Sequence, residues 1–264
     1  MKLRTTAVVA VSAAALLAAV TGCSTSSSTS GSSSTSATTK TAAAAAKTYS
    51  ADDLTTVLTK AEKTLGVTDG KILDNATVQA TIKKAGGAGG LSSLLSQSGV
   101  TIQPAACADE FKKLSVTPST NYIGSDLTYG STVVGVLAND KKPLGATFNS
   151  STEAQQNDAL AKCSTMSISV QPAGTTTPVA IALKLAKGTA TTNAEKTYSI
   201  DETLTLPAAA GGTTATITTI TAVQGNLLIT ATSTPAGLTG TATDTTAPSP
   251  SIEDAVNAVV AAAK

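Results

Sequence analysis

The second half of the chain is built from short segments in which apolar and polar residues alternate. In one of them Tyr198, Ile200, Leu204 and Leu206 share one parity, with Glu202 among them. Alternation of period two places successive side chains on opposite sides of a strand, so each segment predicts a strand with one buried face. The same alternation recurs over residues 166–170 and 179–185, while residues 132–138, 144–148, 215–223 and 227–231 are predicted strands because they are short apolar or β-branched segments next to turns. Consecutive short strands joined by tight turns predict an antiparallel sheet.

Amphipathic helices are predicted at the two ends of the folded region and within its first half. Ser50 and Asp53 resemble a capping box, with Asp in place of the usual Glu, and Gly66 is a typical C-terminal stop. Further helices are predicted over residues 75–84, from Pro104 onward, over residues 150–162 and after Ser251. The predicted fold class is therefore α+β, an antiparallel sheet with helices packed on one face. A pure β-sandwich is the alternative, but it leaves the terminal helices without a place.

The first 22 residues have the features of a secretory signal peptide. Lys2 and Arg4 precede an apolar run over residues 7–20, which is shorter than the roughly twenty residues of a membrane-spanning helix. The sequence Val20-Thr21-Gly22-Cys23 is typical of a lipobox, which predicts cleavage before Cys23 and acylation of its thiol. An ordinary secretory signal with a chance cysteine is the alternative.

The mature chain is expected to consist of a tether and one domain. Residues 23–48 hold the lipidated cysteine and a Ser/Thr-rich stretch that buries too little apolar surface to offset its chain entropy. Such a disordered tether of about 24 residues has a root-mean-square reach of roughly 25–30 Å. Residues 49–264 are predicted to form a single α+β domain. The expected location is the extracytoplasmic face of the cell membrane, held there by the lipid.

The mature sequence lacks the residues on which most active sites depend. Arg4 is the only arginine, and the chain contains neither histidine nor tryptophan. Bidentate anion recognition, the usual general base and the usual metal ligand are therefore missing. The glycine run 86–90 fits no phosphate-binding motif and is interpreted as a hinge or loop. We therefore expect no catalytic residue, no metal ligand and no cofactor, and a chain that is not an enzyme.

Charge argues against nucleic acid as a partner. Removing Lys2 and Arg4 from the 18 basic residues leaves 16, against 17 acidic residues. Proteins that bind nucleic acid need a basic face, which a near-neutral chain does not predict.

Adjacent carboxylates are the remaining candidates for acid–base chemistry. Neighbouring side chains on a helix or strand point apart, so solvated faces are the expected explanation. The three pairs are Asp52 with Asp53, Asp109 with Glu110, and Asp201 with Glu202.

Two cysteines remain beyond Cys23. In an exported protein Cys107 and Cys163 most simply form a disulfide, which closes a loop of more than fifty residues. The alternative is a pair of free buried thiols. A catalytic thiol is not favoured, because no histidine is present to activate it.

A groove between the sheet and its helices is the predicted route to a binding function. Helices that face the sheet with Ala, Val and Leu can leave space for an acyl chain or a small ligand, although the same residues also suit a closed core. Polar residues near Cys107, Tyr122 and Tyr129 are the first place at which to look for the mouth of such a groove. The ligand-binding residues themselves are unknown from the sequence.

The order of the elements resembles lipoproteins that carry the PknH-type extracytoplasmic sensor domain, found across Corynebacteriales within Actinobacteria. The resemblance is carried by Leu65-Gly66, Pro104-Ala105-Ala106-Cys107, the helix over residues 150–162 and Cys163. It implies a single α+β domain with a cleft that binds an envelope ligand. The family usually has a second disulfide and often a tryptophan before the cysteine equivalent to Cys163, where this chain has Lys162.

The expected function is that of a cell-envelope lipoprotein. We expect a non-catalytic ligand-binding or sensor-like module for an envelope lipid, glycan or small molecule. The membrane is the expected partner through the lipid anchor. The alternative is a structural or partner-binding lipoprotein that scaffolds envelope proteins.

Overall fold

The structure is a computed structural model of the 264-residue chain. It describes residues 47–84, 100–114, 122–139, 150–171, 178–208, 212–234 and 250–264. The predicted signal peptide, Cys23, most of the predicted tether, the glycine run 86–90 and the predicted strand over residues 144–148 lie outside the described residues.

The described residues form five helices and nine strands. The helices are α1 (Ala51–Leu65), α2 (Asn75–Lys84), α3 (Ala105–Leu114), α4 (Ser150–Lys162) and α5 (Ile252–Ala263). The strands are β1 (Lys71–Leu73), β2 (Val100–Gln103), β3 (Tyr122–Tyr129), β4 (Thr132–Asn139), β5 (Thr165–Val170), β6 (Val179–Lys187), β7 (Lys196–Thr205), β8 (Thr214–Gln224) and β9 (Leu227–Ser233).

All nine strands belong to one antiparallel sheet in the order β1-β3-β4-β9-β8-β7-β6-β5-β2. The β8–β9 hairpin lies near the centre, and the two shortest strands lie at the edges, where short length limits pairing with another chain. The predicted α+β class is confirmed. No helix among the described residues is long and apolar enough to cross a membrane.

The helices divide between the two faces of the sheet. The terminal-helix face is covered by α1 and α5, which pack on β3, β4, β8 and β9 through residues such as Leu58, Val136 and Val259. The disulfide face is covered over the other half of the sheet by α3 and α4, whose cluster contains Cys107, Cys163 and Tyr198.

The two faces are separated by the pleat of the strands. In β8, Ala222 belongs to the first cluster while the next residue, Val223, belongs to the second. The sequence predicted helices on one face only; the structure differs because β8 and β9 carry apolar residues on both parities, and each apolar surface requires a cover.

Helices α1 and α5 both begin with a capping box. Ser50 and Ser251 each accept a hydrogen bond from a backbone N–H three residues later, and the carboxylates of Asp53 and Asp254 accept one from the capping residues in return. Gly66 ends α1 with a φ of 67°, a left-handed conformation that suits glycine. The predicted capping box and stop of α1 are therefore confirmed.

Cys107 and Cys163 form a disulfide across 56 residues, with their Cα atoms 5.6 Å apart. It joins the first turn of α3 to the residue that follows α4, and both cysteines are 1 % exposed. The predicted pairing is confirmed, and the alternative of two free thiols is set aside.

Candidate functional site

The fold leaves an open groove on the terminal-helix face, where α5 begins. We call it the hydroxyl groove; its volume is about 530 Å³ and it opens to solvent. Its lining combines seven hydroxyl side chains, two carboxylates and four apolar residues: Ser131, Thr132, Thr189, Thr216, Thr218, Ser233, Ser251, Asp201, Glu253, Ala190, Ile220, Pro250 and Ile252.

The floor of the groove is formed by side chains of β7 and β8 that point towards the terminal-helix face. Asp201 pairs with Thr218 in the register of these strands, and the Thr218 hydroxyl donates a 2.7 Å hydrogen bond to Asp201 Oδ1. One step along the ladder, the hydroxyls of Thr203 and Thr216 lie 3.2 Å apart and hydrogen bond. Cross-strand bonds of this kind fix the rotamers of the floor, so its oxygens are held in place.

The wall of the groove is the loop between β6 and β7, which is fastened to the sheet and to α5. Ala190 N–H donates to the hydroxyl of Ser199 at 3.2 Å, and Thr191 N–H donates to Glu253 Oε1 at 2.9 Å. Asn193 N–H donates to the side-chain oxygen of Asn257 at 2.7 Å. The loop is therefore positioned by three backbone donors and keeps the groove open beside the helix.

The charge of the groove is uniformly acidic. Its thirteen lining residues include Asp201 and Glu253 and no lysine. The residues opposite Asp201 on the neighbouring strands are Ala186 and Thr218, neither of which is a cation. Within the described parts of the chain, no ion pair involves either carboxylate.

The groove can bind through hydrogen bonds, but it has no residue set for metal catalysis. No group of three or more His, Cys, Asp or Glu side chains that could hold a metal ion occurs in the described residues. A second, smaller depression of about 390 Å³ lies between the end of α1 and the start of α5, near Leu65 and Asn257.

Two further carboxylates lie on the disulfide face. Glu202 is 4 % exposed, and burial raises its pKa to about 7. Asp126 is partly buried on β3, where burial raises its pKa to about 6. Gly135 leaves the space that the Asp126 carboxylate occupies, because an added Cβ there would lie 2.8 Å from Asp126 Oδ1. Burial therefore lets both carboxyl groups take up a proton at a higher pH than an exposed carboxylate would.

Cys107 and Tyr129, two of the three residues near which a mouth was predicted, lie on opposite faces of the sheet. Cys107 lies in the core of the disulfide face, while Tyr129 is buried in the core of the terminal-helix face. Tyr122 begins β3, at the opposite end of that strand from Tyr129. The three residues therefore do not surround one opening.

The adjacent carboxylates were expected to lie on solvated faces, and Glu202 is an exception because it is buried. Asp53 caps α1, and Glu110 lies 3.5 Å from Lys162 on α4. Asp201 and Glu202 point to opposite faces of the sheet, as strand geometry requires. The burial of Glu202 was not predicted, although the parity that it shares with Tyr198, Ile200 and Leu204 indicates a buried position.

The residues that precede α1 contact the domain at the end of α5 that lies away from the groove. Lys47 Nζ and the Tyr49 hydroxyl both donate to the backbone oxygen of Ala263, the last residue of α5. The Asn226 side chain in the β8–β9 turn donates to the backbone oxygen of Lys47 at 2.7 Å. The groove lies at the first turn of α5, so the twelve-residue helix separates the two sites by roughly 18 Å.

Comparison with known proteins leaves the family of the chain open. No family model and no curated protein matches the chain. Among solved structures, the X-ray structure of an uncharacterized protein from Mycobacterium smegmatis, the Rv0999 ortholog, is similar with 12% sequence identity and a TM-score of 0.39. The similarity covers 78% of this chain and 95% of that chain. The resemblance to the PknH-type sensor domain stays a prediction, and the function is argued from the groove.

Proposed function

We propose that the chain is a cell-envelope lipoprotein whose domain binds a hydroxyl-rich envelope ligand without catalysis. The observation that carries this proposal is the open groove of about 530 Å³ with seven hydroxyl side chains and two carboxylates in its lining. Fixed hydroxyls both donate and accept hydrogen bonds, which is the property needed to replace the water around a sugar or a similar polar molecule.

The polarity of the groove favours a glycan or a small polar molecule over an acyl chain. An acyl chain needs a continuous apolar wall, whereas Ile220 and Ile252 are the only large aliphatic residues among the thirteen that line the groove. Threonine methyl groups supply limited apolar contact to the faces of sugar rings. Of the three ligand classes expected from the sequence, the lipid is therefore the least suited to this site.

The position of the groove supports binding by an anchored protein. The chain reaches the domain beside Ala263, and the groove lies at the far end of α5. A lipid at Cys23 would then leave the groove free to meet the cell wall. This arrangement supports a location on the extracytoplasmic face of the cell membrane.

Binding is tested with the mature lipoprotein in detergent micelles and a panel of soluble envelope oligosaccharides, by isothermal titration calorimetry. Thr218→Val removes the hydroxyl that holds Asp201 and should weaken binding about tenfold, the effect of losing one well-placed hydrogen bond together with its partner's orientation. The matched control is Thr205→Ala, an exposed threonine on the same face and outside the groove. A protein that binds none of the panel, or a Thr218→Val variant with unchanged affinity, would contradict the proposal.

Anchoring is tested separately in cells. Metabolic labelling with an alkyne fatty acid should tag the wild-type chain and leave Cys23→Ala untagged, because acylation requires the thiol. Labelling of neither favours the ordinary secretory signal, and equal labelling of both would place the acyl group on a residue other than Cys23.

Scaffolding of envelope proteins is a second candidate, supported by the uncovered part of the terminal-helix face. On β5 and β6 that face presents Ser167, Ala182 and Lys184, and among the described helices none packs over it. Photo-cross-linking from position 182 in cells would then recover one reproducible protein neighbour. Diffuse cross-linking would count against this role.

A further inference from the structure

We propose that the hydroxyl groove selects a ligand that combines hydroxyl groups with a protonated amine, as in a sugar whose amino groups are not acetylated. This inference rests on the proposed function, because it names the chemistry of the ligand that the groove binds. It is carried by the placement of Asp201 and Glu253 on two sides of one cavity.

Each carboxylate is held in place and keeps accepting capacity. Asp201 Oδ1 accepts from Thr218, and Glu253 Oε1 accepts from Thr191 N–H. Among the described residues, no hydrogen bond is made to Asp201 Oδ2 or to Glu253 Oε2. A positioned carboxylate with a free oxygen is the partner that an ammonium group requires, and such charge-assisted bonds are about twice as strong as neutral ones.

The groove offers no cationic side chain to an anion. Its lining contains no lysine, and arginine is absent from the chain beyond Arg4. The first turn of α5 borders the groove, and one of its N-terminal donors is engaged by the capping box, in which Ser251 Oγ accepts from Asp254 N–H at 3.0 Å. The Asp254 carboxylate also offsets the positive end of the helix dipole. Phosphate- or carboxylate-bearing glycans are therefore disfavoured.

Selectivity is measured on the mature lipoprotein in micelles with three tetrasaccharides of similar size. The probes are the tetramers of glucosamine, N-acetylglucosamine and galacturonic acid, titrated calorimetrically at low ionic strength in slightly acidic buffer that keeps the amine protonated. Glucosamine tetramer should bind about tenfold more tightly than the N-acetylated one, with the uronate weakest. Added salt should weaken only the glucosamine complex, since screening acts on the charge pair.

Asp201→Asn keeps the shape of the side chain and removes its charge. It should lower the affinity for glucosamine tetramer about tenfold and leave that for N-acetylglucosamine tetramer unchanged. The matched control is Asp158→Asn, an exposed carboxylate on α4 at the other face of the sheet, which should change neither. The salt dependence of the wild-type protein provides the same answer should Asp201→Asn fold poorly.

The outcomes separate the two proposals. Equal affinity for amino and N-acetylated tetramers, or tighter binding of the uronate, overturns the charge selectivity and leaves the binding function standing. Tighter binding of trilysine than of glucosamine tetramer overturns the assignment to a sugar. Binding of none of the three tetrasaccharides overturns both proposals.

Discussion

Asp201 and Glu202 are consecutive residues of β7 that lie in opposite environments. Asp201 accepts a 2.7 Å hydrogen bond from Thr218 on the floor of the hydroxyl groove, whereas Glu202 is 4 % exposed on the disulfide face. One peptide unit thus separates a carboxylate available to ligands from one that is buried in the core. The two residues should respond to substitution in different ways: Asp201 through binding, and Glu202 through stability.

Glu202 should make the domain more stable in mild acid than at neutral pH. Burial raises its pKa to about 7, against about 4.3 in an unfolded chain. Between these values the folded state holds a proton that the unfolded state releases, so the free energy of unfolding falls as pH rises, by on the order of 3 kcal/mol in total. Asp126, with its pKa raised to about 6, acts in the same direction.

Urea denaturation across this pH range measures the effect. Glu202→Gln should flatten the dependence and exceed the wild type in stability above neutrality, because a neutral amide carries no charge to bury. The control Asp158→Asn changes an exposed carboxylate and should keep the wild-type slope. An identical slope in wild type and Glu202→Gln would show that Glu202 does not titrate as burial requires.

Loss of the disulfide should destabilise the domain without moving the groove. The Cys107–Cys163 bridge closes a separation of 56 residues, for which the chain-entropy model gives roughly 4 kcal/mol. Denaturant midpoints with and without reductant, and for the Cys107→Ala/Cys163→Ala pair, measure this change. Ligand affinity at low temperature should stay unchanged, because the groove lies on the other face of the sheet; a parallel loss of both would contradict the separation of the two faces.

Removal of the α1 capping residue should cost about 1 kcal/mol. Ser50→Ala deletes the hydroxyl that accepts from Asp53 N–H at 3.2 Å and that donates to Asp53 Oδ2. The midpoint of thermal unfolding should fall, while Thr59→Ala in the exposed middle of the same helix should have little effect. Equal shifts for both variants would show that the capping box adds nothing to the stability of α1.

Gly124→Ala should destabilise the domain by roughly 1–3 kcal/mol through overpacking. An added Cβ would lie 2.6 Å from Leu137 Cδ2 and 3.3 Å from Val78 Cγ1. The double variant Gly124→Ala/Leu137→Ala, compared with Leu137→Ala alone, isolates the clash in a mutant cycle. A Gly124→Ala cost that is the same in both backgrounds would mean that Leu137 is not the obstructing side chain.

Local periodicity was sufficient for much of the fold. The predicted helices over residues 75–84 and 150–162 match α2 and α4, and the predicted strand over residues 227–231 lies within β9. The two helices combine helical spacing with polar residues at their start, and the strand is a short apolar run that follows the Gln224-Gly225-Asn226 turn, so neighbouring residues alone indicate them.

Strand β3 could not be predicted from its own residues. Gly124, Ser125 and Asp126 have low strand propensity, yet they form a strand because β4 pairs with all three and β1 pairs with Asp126 and the two residues that follow it. Strands β1 and β2 are three and four residues long, too short for a periodic pattern to appear. Pairing with distant parts of the chain creates all three.

The groove could not be predicted for the same reason. Its lining comes from six separate stretches of sequence that meet only through the sheet order and the docking of α5. In the sequence Asp201 is recognised only as the neighbour of another acidic residue, Glu202. Its pairing with Thr218 in the sheet places it on the floor of the hydroxyl groove. The burial of Glu202, by contrast, was signalled by its apolar parity.

The contact of Tyr49 with Ala263 also determines how the domain would bear tension. A pull on the preceding chain is applied at the Asn226 end of β9, and a load on the groove is applied at the Ser233 end of the same strand. The force then runs along β9, which is bonded to β4 on one side and β8 on the other. Hydrogen bonds sheared together share such a force instead of parting one after another, so a chain anchored at Cys23 and holding a ligand in the proposed groove would load β9 in shear.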